Sequence, residues 1–154
     1  KENAKYTIGD RGTESEVLYD HKAFLFSKER SLLVLPVVLA EIEKPQGEQF
    51  AYGEYKLSGA YVFELTLENG FVLKGIVKHH EKTDEEYYYG PSVRRSTYID
   101  NVLYTLSDKL KMNDLNTLEE INEIELPKQE DIYRILPVGG ETTVGVAISA
   151  PAIE

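Results

Sequence analysis

Histidine is the side chain in this sequence best suited to proton transfer or metal binding, and it occurs three times, at His21, His79 and His80. Asp20 precedes His21, and a histidine next to a carboxylate can act as a general base or as a metal ligand. We favour the alternative, in which the His21 ring hydrogen-bonds a strand or loop at the start of a structural unit. The sequence contains no Gly-x-Ser-x-Gly motif, so a Ser-His-Asp triad is not supported.

His79 and His80 end a predicted strand, in which adjacent side chains point to opposite faces. A regular strand therefore cannot present both imidazoles to one metal ion. A zinc site usually has three or more protein ligands, so His79, His80 and Glu81 would bind a metal only from a loop. We do not favour a metal site here.

Arg94 and Arg95 are adjacent, and strand alternation places one guanidinium on each face. Arginine forks suit the recognition of carboxylate or phosphate groups, which is one hypothesis for this pair. The alternative is a salt bridge between strands or sheets, and the 27 acidic residues of the chain favour it.

Oxygen-bearing side chains are frequent in the predicted turns that follow residue 99. They are the hard ligands that calcium prefers, although no EF-hand pattern is present. Asp and Asn are also common in hairpin turns because their side chains bond the local backbone. Calcium is the one cofactor that the sequence suggests, with these candidate ligands: Asp100, Asp108, Asn113 and Asp114.

Two acidic segments, residues 50–55 and 85–90, are rich in tyrosine. Tyrosine supplies contact area at low entropic cost, so the segments could form a shared surface for a protein or a carbohydrate. Packing of the rings on neighbouring strands or on another chain is the alternative, and the sequence does not separate the two. The candidate binding residues are Tyr52, Tyr55, Tyr87, Tyr88 and Tyr89.

Charge and composition limit the function classes. The 154 residues include 17 Lys and Arg against 27 Asp and Glu, which gives a net charge of −10 and a pI of about 4.8. This charge argues against nucleic-acid binding and against docking on anionic lipid. The chain has no cysteine, which excludes disulfides and thiolate chemistry. Its 12 Lys and 20 Glu against 9 Asn and Gln are typical of a thermophile.

Short apolar segments separated by polar turns predict strands, and a unit of four such segments recurs. The predicted strands are residues 23–26, 32–39, 59–65 and 71–77 in the first unit, and residues 94–99, 102–106, 110–115 and 121–126 in the second. The turn Glu68-Asn69-Gly70 is a strong hairpin signal. Residues 32–39 are continuously apolar, which is typical of a strand buried on both faces. We expect Pro36 at a bulge or at a strand end.

A repeated four-stranded antiparallel meander is typical of β-propeller blades, and we favour this all-β fold over a sandwich or barrel. Residues 116–123 could form a helical turn capped by Thr117. The alternation that ends at Pro127 favours a turn followed by an edge strand instead. The predicted organisation is two propeller-like blades in residues 1–127, with the outer strand of a preceding blade at residues 5–10. A C-terminal β-hairpin is predicted in residues 128–154.

The sequence resembles the archaeal and bacterial family of secreted proteins with a C-terminal β-propeller domain, which is distantly related to WD repeats. Residues 15–26, 32–37, 92–99, 103–107 and 111–115 carry the resemblance, which covers about Gly9 to Leu126. It implies a propeller fold and a secreted or surface-attached protein that is longer than this chain. It implies no characterised enzymatic activity, so no catalytic residue is carried over.

We therefore predict a non-catalytic, secreted or cell-surface β-propeller module that acts in binding or assembly. A calcium-binding structural protein is a compatible alternative, and a hydrolase using Asp20, His21 and Arg94 is a less favoured one. Two blades leave apolar faces and open sheet edges. The expected partner is a second copy of the chain or the rest of a longer precursor, with residues 132–149 supplying strands across the interface.

We expect no nucleic-acid partner and no membrane insertion by this chain. The longest apolar run, residues 32–40, is too short to cross a bilayer. The secretion signal is expected outside this chain, because no segment combines a basic start, an apolar core and a small-residue cleavage site.

Overall fold

The computed structural model describes residues 3–42, 51–82 and 90–127, and the regular structure in these ranges is almost entirely β. Two 3₁₀ helices, Glu16–Leu18 and His21–Ala23, precede the first strand. The strands are β1 (Leu25–Ser27), β2 (Leu32–Glu41), β3 (Glu54–Thr66), β4 (Gly70–Glu81), β5 (Arg95–Ile99), β6 (Val102–Leu106), β7 (Lys109–Asp114) and β8 (Glu120–Glu125).

The strands form two antiparallel meanders, β1-β2-β3-β4 (sheet 1) and β5-β6-β7-β8 (sheet 2). Every strand pairs only with its neighbours in sequence, and the two sheets stay separate instead of closing into one barrel. This architecture confirms the prediction of an all-β fold with two propeller-like units. The segment after Asp114 is a turn followed by the edge strand β8, so the helical alternative for residues 116–123 is wrong.

Strand β2 is buried along almost its whole length, as its continuous apolar sequence predicted. The expectation for Pro36 was wrong, because Pro36 pairs with Ala60 in mid-strand and the irregularity lies between Leu39 and Ala40. Val38 exchanges two backbone hydrogen bonds with Glu14, on the side away from β3. Backbone groups two residues apart point the same way. The missing N–H of Pro36 therefore faces this side, beyond the end of the short strand β1, and costs no bond to β3.

The N-terminal segment does not form the outer strand that was predicted at residues 5–10. It instead satisfies the edge of β2 that the three-residue strand β1 leaves open. The Asp10 N–H donates to the Ala40 carbonyl at 2.8 Å, and the Thr13 hydroxyl bonds both backbone groups of Ala40. Backbone and side-chain groups of this irregular segment thus cover an edge that would otherwise be open to pairing with another chain.

The hairpin between β3 and β4 turns through residues 67–69, next to the predicted Asn69-Gly70 signal. Gly70 has a φ of +65°, a conformation that glycine adopts without steric cost. Further along, the pairing of β3 with β4 shifts, so that Ser58 faces His80 and Gly59 faces Lys78. His79 is the extra residue of this β-bulge.

Two apolar clusters hold the chain together. One lies between the sheets and contains fully buried side chains from both, including Val34, Val62 and Leu103. The other lies on the opposite face of sheet 1 around Phe63, against which the Tyr6 ring packs edge-on at 5.0 Å. Sheet 1 is therefore covered on both faces.

None of the described helices is long and apolar enough to span a membrane. The predicted C-terminal hairpin at residues 128–154, including the segment 132–149, lies outside the described residues.

Candidate functional site

Polar side chains concentrate where the two sheets meet. We call this region the seam and define it by these residues: Asp20, His79, His80, Arg94, Arg95, Thr105, Ser107 and Asp108. Several of the residues singled out from the sequence lie in it.

Asp20 joins the start of sheet 1 to sheet 2. It is the N-cap of the second 3₁₀ helix, where its Oδ1 accepts from the Lys22 N–H at 2.9 Å. Its Oδ2 accepts from Arg95 Nη2 at 2.6 Å. The backbone hydrogen bond from Lys22 is the main reason that the pKa of this carboxyl lies below its usual value; burial opposes it, and the Arg95 guanidinium adds to the lowering. The carboxylate is therefore occupied by structural bonds.

His21 follows Asp20 and is exposed. Its ring forms no hydrogen bond with the residues that the structure describes, so the predicted hydrogen-bonding role is not seen there. Arg94 donates from Nη2 to the Ser107 carbonyl at 2.9 Å, and Arg95 bonds both Asp20 and the Arg94 carbonyl. Of these contacts, the one between Arg95 and Asp20 is a salt bridge of the kind that we weighed against anion recognition. Anion binding by the two arginines stays a prediction.

His79 is buried between the sheets, with 5% of its surface exposed. Nδ1 lies 2.7 Å from Ser107 Oγ, and Nε2 lies 2.7 Å from Thr105 Oγ1. Burial, followed by the nearby charge of Lys111, lowers the pKa of His79 to about 4. The imidazole is therefore neutral near pH 7.

His80 also reaches sheet 2, where its Nε2 lies 2.8 Å from Asp108 Oδ1. Strand alternation predicted opposite directions for His79 and His80, yet both rings contact sheet 2. The bulge at His79 lets two adjacent histidines contact the same segment of sheet 2, since a bulge changes the direction of the side chain that it carries. Glu81, the third residue of the metal hypothesis, forms an ion pair with Lys78 at 2.6 Å instead.

The residues of the seam include Ser, His and Asp, yet their arrangement differs from that of a catalytic triad. Ser107 is fully buried and donates to Asp108 Oδ1 at 2.9 Å. In a triad the carboxylate instead orients the histidine and the serine hydroxyl is accessible to substrate. His79, Thr105 and Ser107 thus form the buried part of a polar network, whose other members, such as Arg94 and Asp108, are exposed.

The candidate calcium ligands have other structural contacts. Asp114 Oδ1 accepts from the N–H groups of Asn116 and Thr117, and its Oδ2 accepts from Asn101 Nδ2 at 2.9 Å. Backbone bonds from Thr117 and Asn116 lower the pKa of Asp114. Asn113 donates from Nδ2 to the Leu118 carbonyl at 3.0 Å.

The other two candidate calcium ligands, Asp108 and Asp100, differ in their surroundings. Asp108 bonds His80 and Ser107, whereas Asp100 is an exposed residue of a two-residue hairpin loop with a φ of 50°. Within residues 3–42, 51–82 and 90–127, no group of three or more His, Asp and Glu side chains is placed to hold a metal ion. Calcium binding stays a prediction.

Tyr52 and Tyr55 differ in their surroundings. Tyr52 is 68% exposed, stacks under the Arg11 guanidinium at 4.3 Å from its ring centroid and lines a groove of about 410 Å³. Tyr55 is half-buried, and its hydroxyl donates to the His80 carbonyl at 3.3 Å. The shared tyrosine surface stays a prediction, because Tyr87, Tyr88 and Tyr89 lie outside the described residues.

The outer face of sheet 2, which points away from sheet 1, is largely apolar. Leu103 and Thr105 are buried against sheet 1, so alternation turns Val102, Tyr104 and Leu106 outward. Cross-strand pairing assigns seven apolar residues to this face: Ile99, Val102, Tyr104, Leu106, Leu110, Met112 and Ile124. It also assigns four polar residues, Arg95, Thr97, Asp114 and Asn122, which pair with Leu106, Tyr104, Val102 and Met112. Neither apolar cluster includes these side chains, and Ile99 and Ile124 are 60% and 46% exposed.

We did not single out Thr105, Ser107 or the outer face from the sequence. Leu103, Thr105 and Ser107 are spaced two residues apart, so their side chains point to the same face. Two hydroxyl groups on an otherwise buried face would have predicted a polar partner across the core. The apolar residues at 102, 104 and 106 would likewise have predicted a second buried face.

Two stacked four-stranded antiparallel meanders with a polar seam between them define a protein built of propeller-like blades. The family model described as "Beta propeller domain" matches residues 1–118, and the chain belongs to this family. No curated protein and no solved structure matches the chain significantly.

Proposed function

We propose that this chain is a non-catalytic β-propeller module of a secreted or cell-surface protein, and that it assembles with further blades through the outer face of sheet 2. The further blades come from a second copy of the chain or from the rest of a longer precursor. The resemblance to secreted archaeal and bacterial propeller proteins supports the location.

The single observation that carries the proposal is the difference between the two sheets. Sheet 1 is covered on both faces, with Phe63 and Val62, which lie on opposite faces of β3, each at most 1% exposed. Sheet 2 is covered only on the face towards sheet 1, among the residues that the structure describes. Contiguous apolar patches are rare on proteins that act alone and mark contact surfaces. In a propeller the face of one blade packs on the next, so a blade face is the partner that fits.

The arrangement of the seam supports the non-catalytic part of the proposal. Asp20, Arg94 and Ser107 each bond another residue of the chain. His21, the base of the hydrolase alternative, is exposed and adjoins a carboxylate that is already bonded to Arg95.

The test is the mass of the full-length chain in solution over a range of concentrations, measured by light scattering after size exclusion. We expect a species larger than the 17.5 kDa chain. Ile124→Asp places a charge on the outer face and should shift the mass towards the single chain. Leu67→Asp is the matched control, because Leu67 is 99% exposed in a turn and lies outside this face.

Light scattering that gives 17.5 kDa at every concentration, with the same result for Ile124→Asp, would overturn self-assembly through this face.

A further inference from the structure

His79 is the one histidine of the seam that is buried in the contact between the sheets, and no proposed function uses it. It belongs to β4, while both of its hydrogen-bond partners, Thr105 and Ser107, belong to sheet 2. The imidazole therefore links the two sheets at two points, 26 and 28 residues away in sequence.

The positions of the protons follow from the partners. Asp108 is bonded by His80 and Ser107, and although burial opposes them these bonds keep its pKa low, so the ionised carboxylate can only accept. Ser107 has one hydroxyl proton, which it donates to Asp108. Nδ1 of His79 must therefore carry a proton and donate it to Ser107 Oγ, and Nε2 must accept from the Thr105 hydroxyl.

A second proton on the ring would disrupt this arrangement. Nε2 would become a donor, so the Thr105 hydroxyl would have to turn its proton away and accept, and the buried ring would carry a charge with no carboxylate hydrogen-bonded to it. The structure thus holds the two sheets together through an imidazole whose neutral form is favoured.

We propose that the seam is an acid-sensitive clasp, in which protonation of His79 separates sheet 2 from sheet 1 while the strands within each sheet stay paired. Opening would expose the inner faces of both sheets and allow the blades to exchange partners.

The charged groups around His79 favour opening of the seam when His79 is protonated. Lys109 and Lys111 on β7 and the neighbouring His80 disfavour a further positive charge, while Asp108 opposes them. Arg94 adds a cation that is bonded to the Ser107 carbonyl. From β8, Glu120 and Glu123 neutralise Lys111 through ion pairs at 2.7 and 3.0 Å.

The direction and size of the pH effect on opening follow from the linkage between protonation and the opening equilibrium. A histidine whose pKa is lower in the closed form stabilises that form fully above its ordinary pKa, and the stabilisation is lost as pH falls towards the lowered value. With an ordinary pKa near 6.5 in the opened form and about 4 in the closed form, the opening equilibrium constant rises roughly sixtyfold between pH 7 and pH 4.5.

The test measures the distance between the sheets at pH 7 and pH 4.5 in the full-length chain. The native sequence has no cysteine, so spin labels can be attached specifically at Leu67→Cys and Glu125→Cys, which are exposed positions on sheet 1 and sheet 2. We expect a longer and broader distance distribution at pH 4.5, with the β signal in circular dichroism retained. His79→Gln should remove the response because it keeps two hydrogen-bonding groups but does not titrate. His21→Gln is the matched control, because His21 is exposed and lies outside the seam, and it should open as the wild type does.

A second measurement covers the case in which His79→Gln does not fold. The ring resonances of His79 in the wild type should titrate together with the change in distance. A wild type that stays closed at pH 4.5, or sheets that separate while His79 is still neutral, would overturn the clasp, as would His79→Gln opening at the same pH as the wild type.

Discussion

Asp20 and Arg95 lie 75 residues apart in the sequence and form an ion pair of 2.6 Å across the seam. Asp20 also caps the second 3₁₀ helix through the Lys22 N–H. One carboxylate thus fixes the local start of sheet 1 and its position relative to sheet 2.

These two roles of Asp20 can be separated by substitution. Asp20→Asn keeps an N-cap acceptor but loses the charge, whereas Asp20→Ala loses both. We expect the melting temperature to fall in the order wild type, Asn variant, Ala variant. Glu68→Gln, in the exposed β3–β4 turn, is the control and should not change it. Equal melting temperatures for the Asn and Ala variants would contradict a capping role.

The ion pair between Asp20 and Arg95 also predicts that the stability of the chain depends on pH. Because the pKa of Asp20 is lowered in the folded chain, its contribution to stability is present above the ordinary carboxyl pKa and is lost as pH falls through the lowered value. The carboxyl carbon resonance of Asp20 should titrate below that of an ordinary Asp, and Arg95→Gln should bring it part of the way back. An unchanged titration in Arg95→Gln would show that Lys22 alone sets the shift.

Two glycines of sheet 1, Gly59 in the central strand β3 and Gly75 in the edge strand β4, should respond differently to a methyl group. A Cβ on Gly59 would lie 2.7 Å from the Val77 carbonyl, which is backbone and cannot move aside, so Gly59→Ala should lower the free energy of unfolding by about 2 kcal/mol. A Cβ on Gly75 would meet only the end of the Leu118 side chain, and its cost should be smaller. Urea denaturation of the two variants gives the comparison, and a larger loss for Gly75→Ala would contradict it.

Calcium is expected to stabilise the chain modestly at most. A ligand present at a hundred times its dissociation constant stabilises by about 2.7 kcal/mol, and the carboxylates of Asp108 and Asp114 already have protein partners. Thermal melts in millimolar calcium and in chelator are the measurement. A shift that Asp100→Asn abolishes would identify that residue as a ligand, whereas a shift of tens of degrees would show a dedicated calcium site.

Removal of the residues after Pro127 tests the predicted role of segment 132–149. We expect the truncated chain to aggregate or to form a smaller species than the full chain, since an apolar face or a strand edge would lose its cover. Size exclusion with light scattering makes the comparison. A truncated chain with the same association state as the full-length chain would contradict the role of this segment.

Much of the fold could be predicted because the signals are local. The continuous apolar run at residues 32–39 predicted a strand buried on both faces, and Asn69-Gly70 placed a hairpin at the turn that follows residue 66. The recurrence of four short segments predicted two meanders, since antiparallel neighbours need only a short connection. The candidate site was predicted less well. Asp20 and Arg95 were chosen as binding residues, but nothing local indicated that they bind each other.

The sequence by itself therefore determined the strands, their order and the two-unit architecture, because apolar alternation and turn chemistry act over a few residues. Only the tertiary structure decided which side chains meet. The extra residue at His79 in β4 directs two adjacent histidines to one segment of sheet 2, and the short strand β1 leaves an edge at which Pro36 is tolerated. Both results depend on pairing between strands and on packing between sheets, which bring together residues far apart in sequence and leave no local pattern to detect.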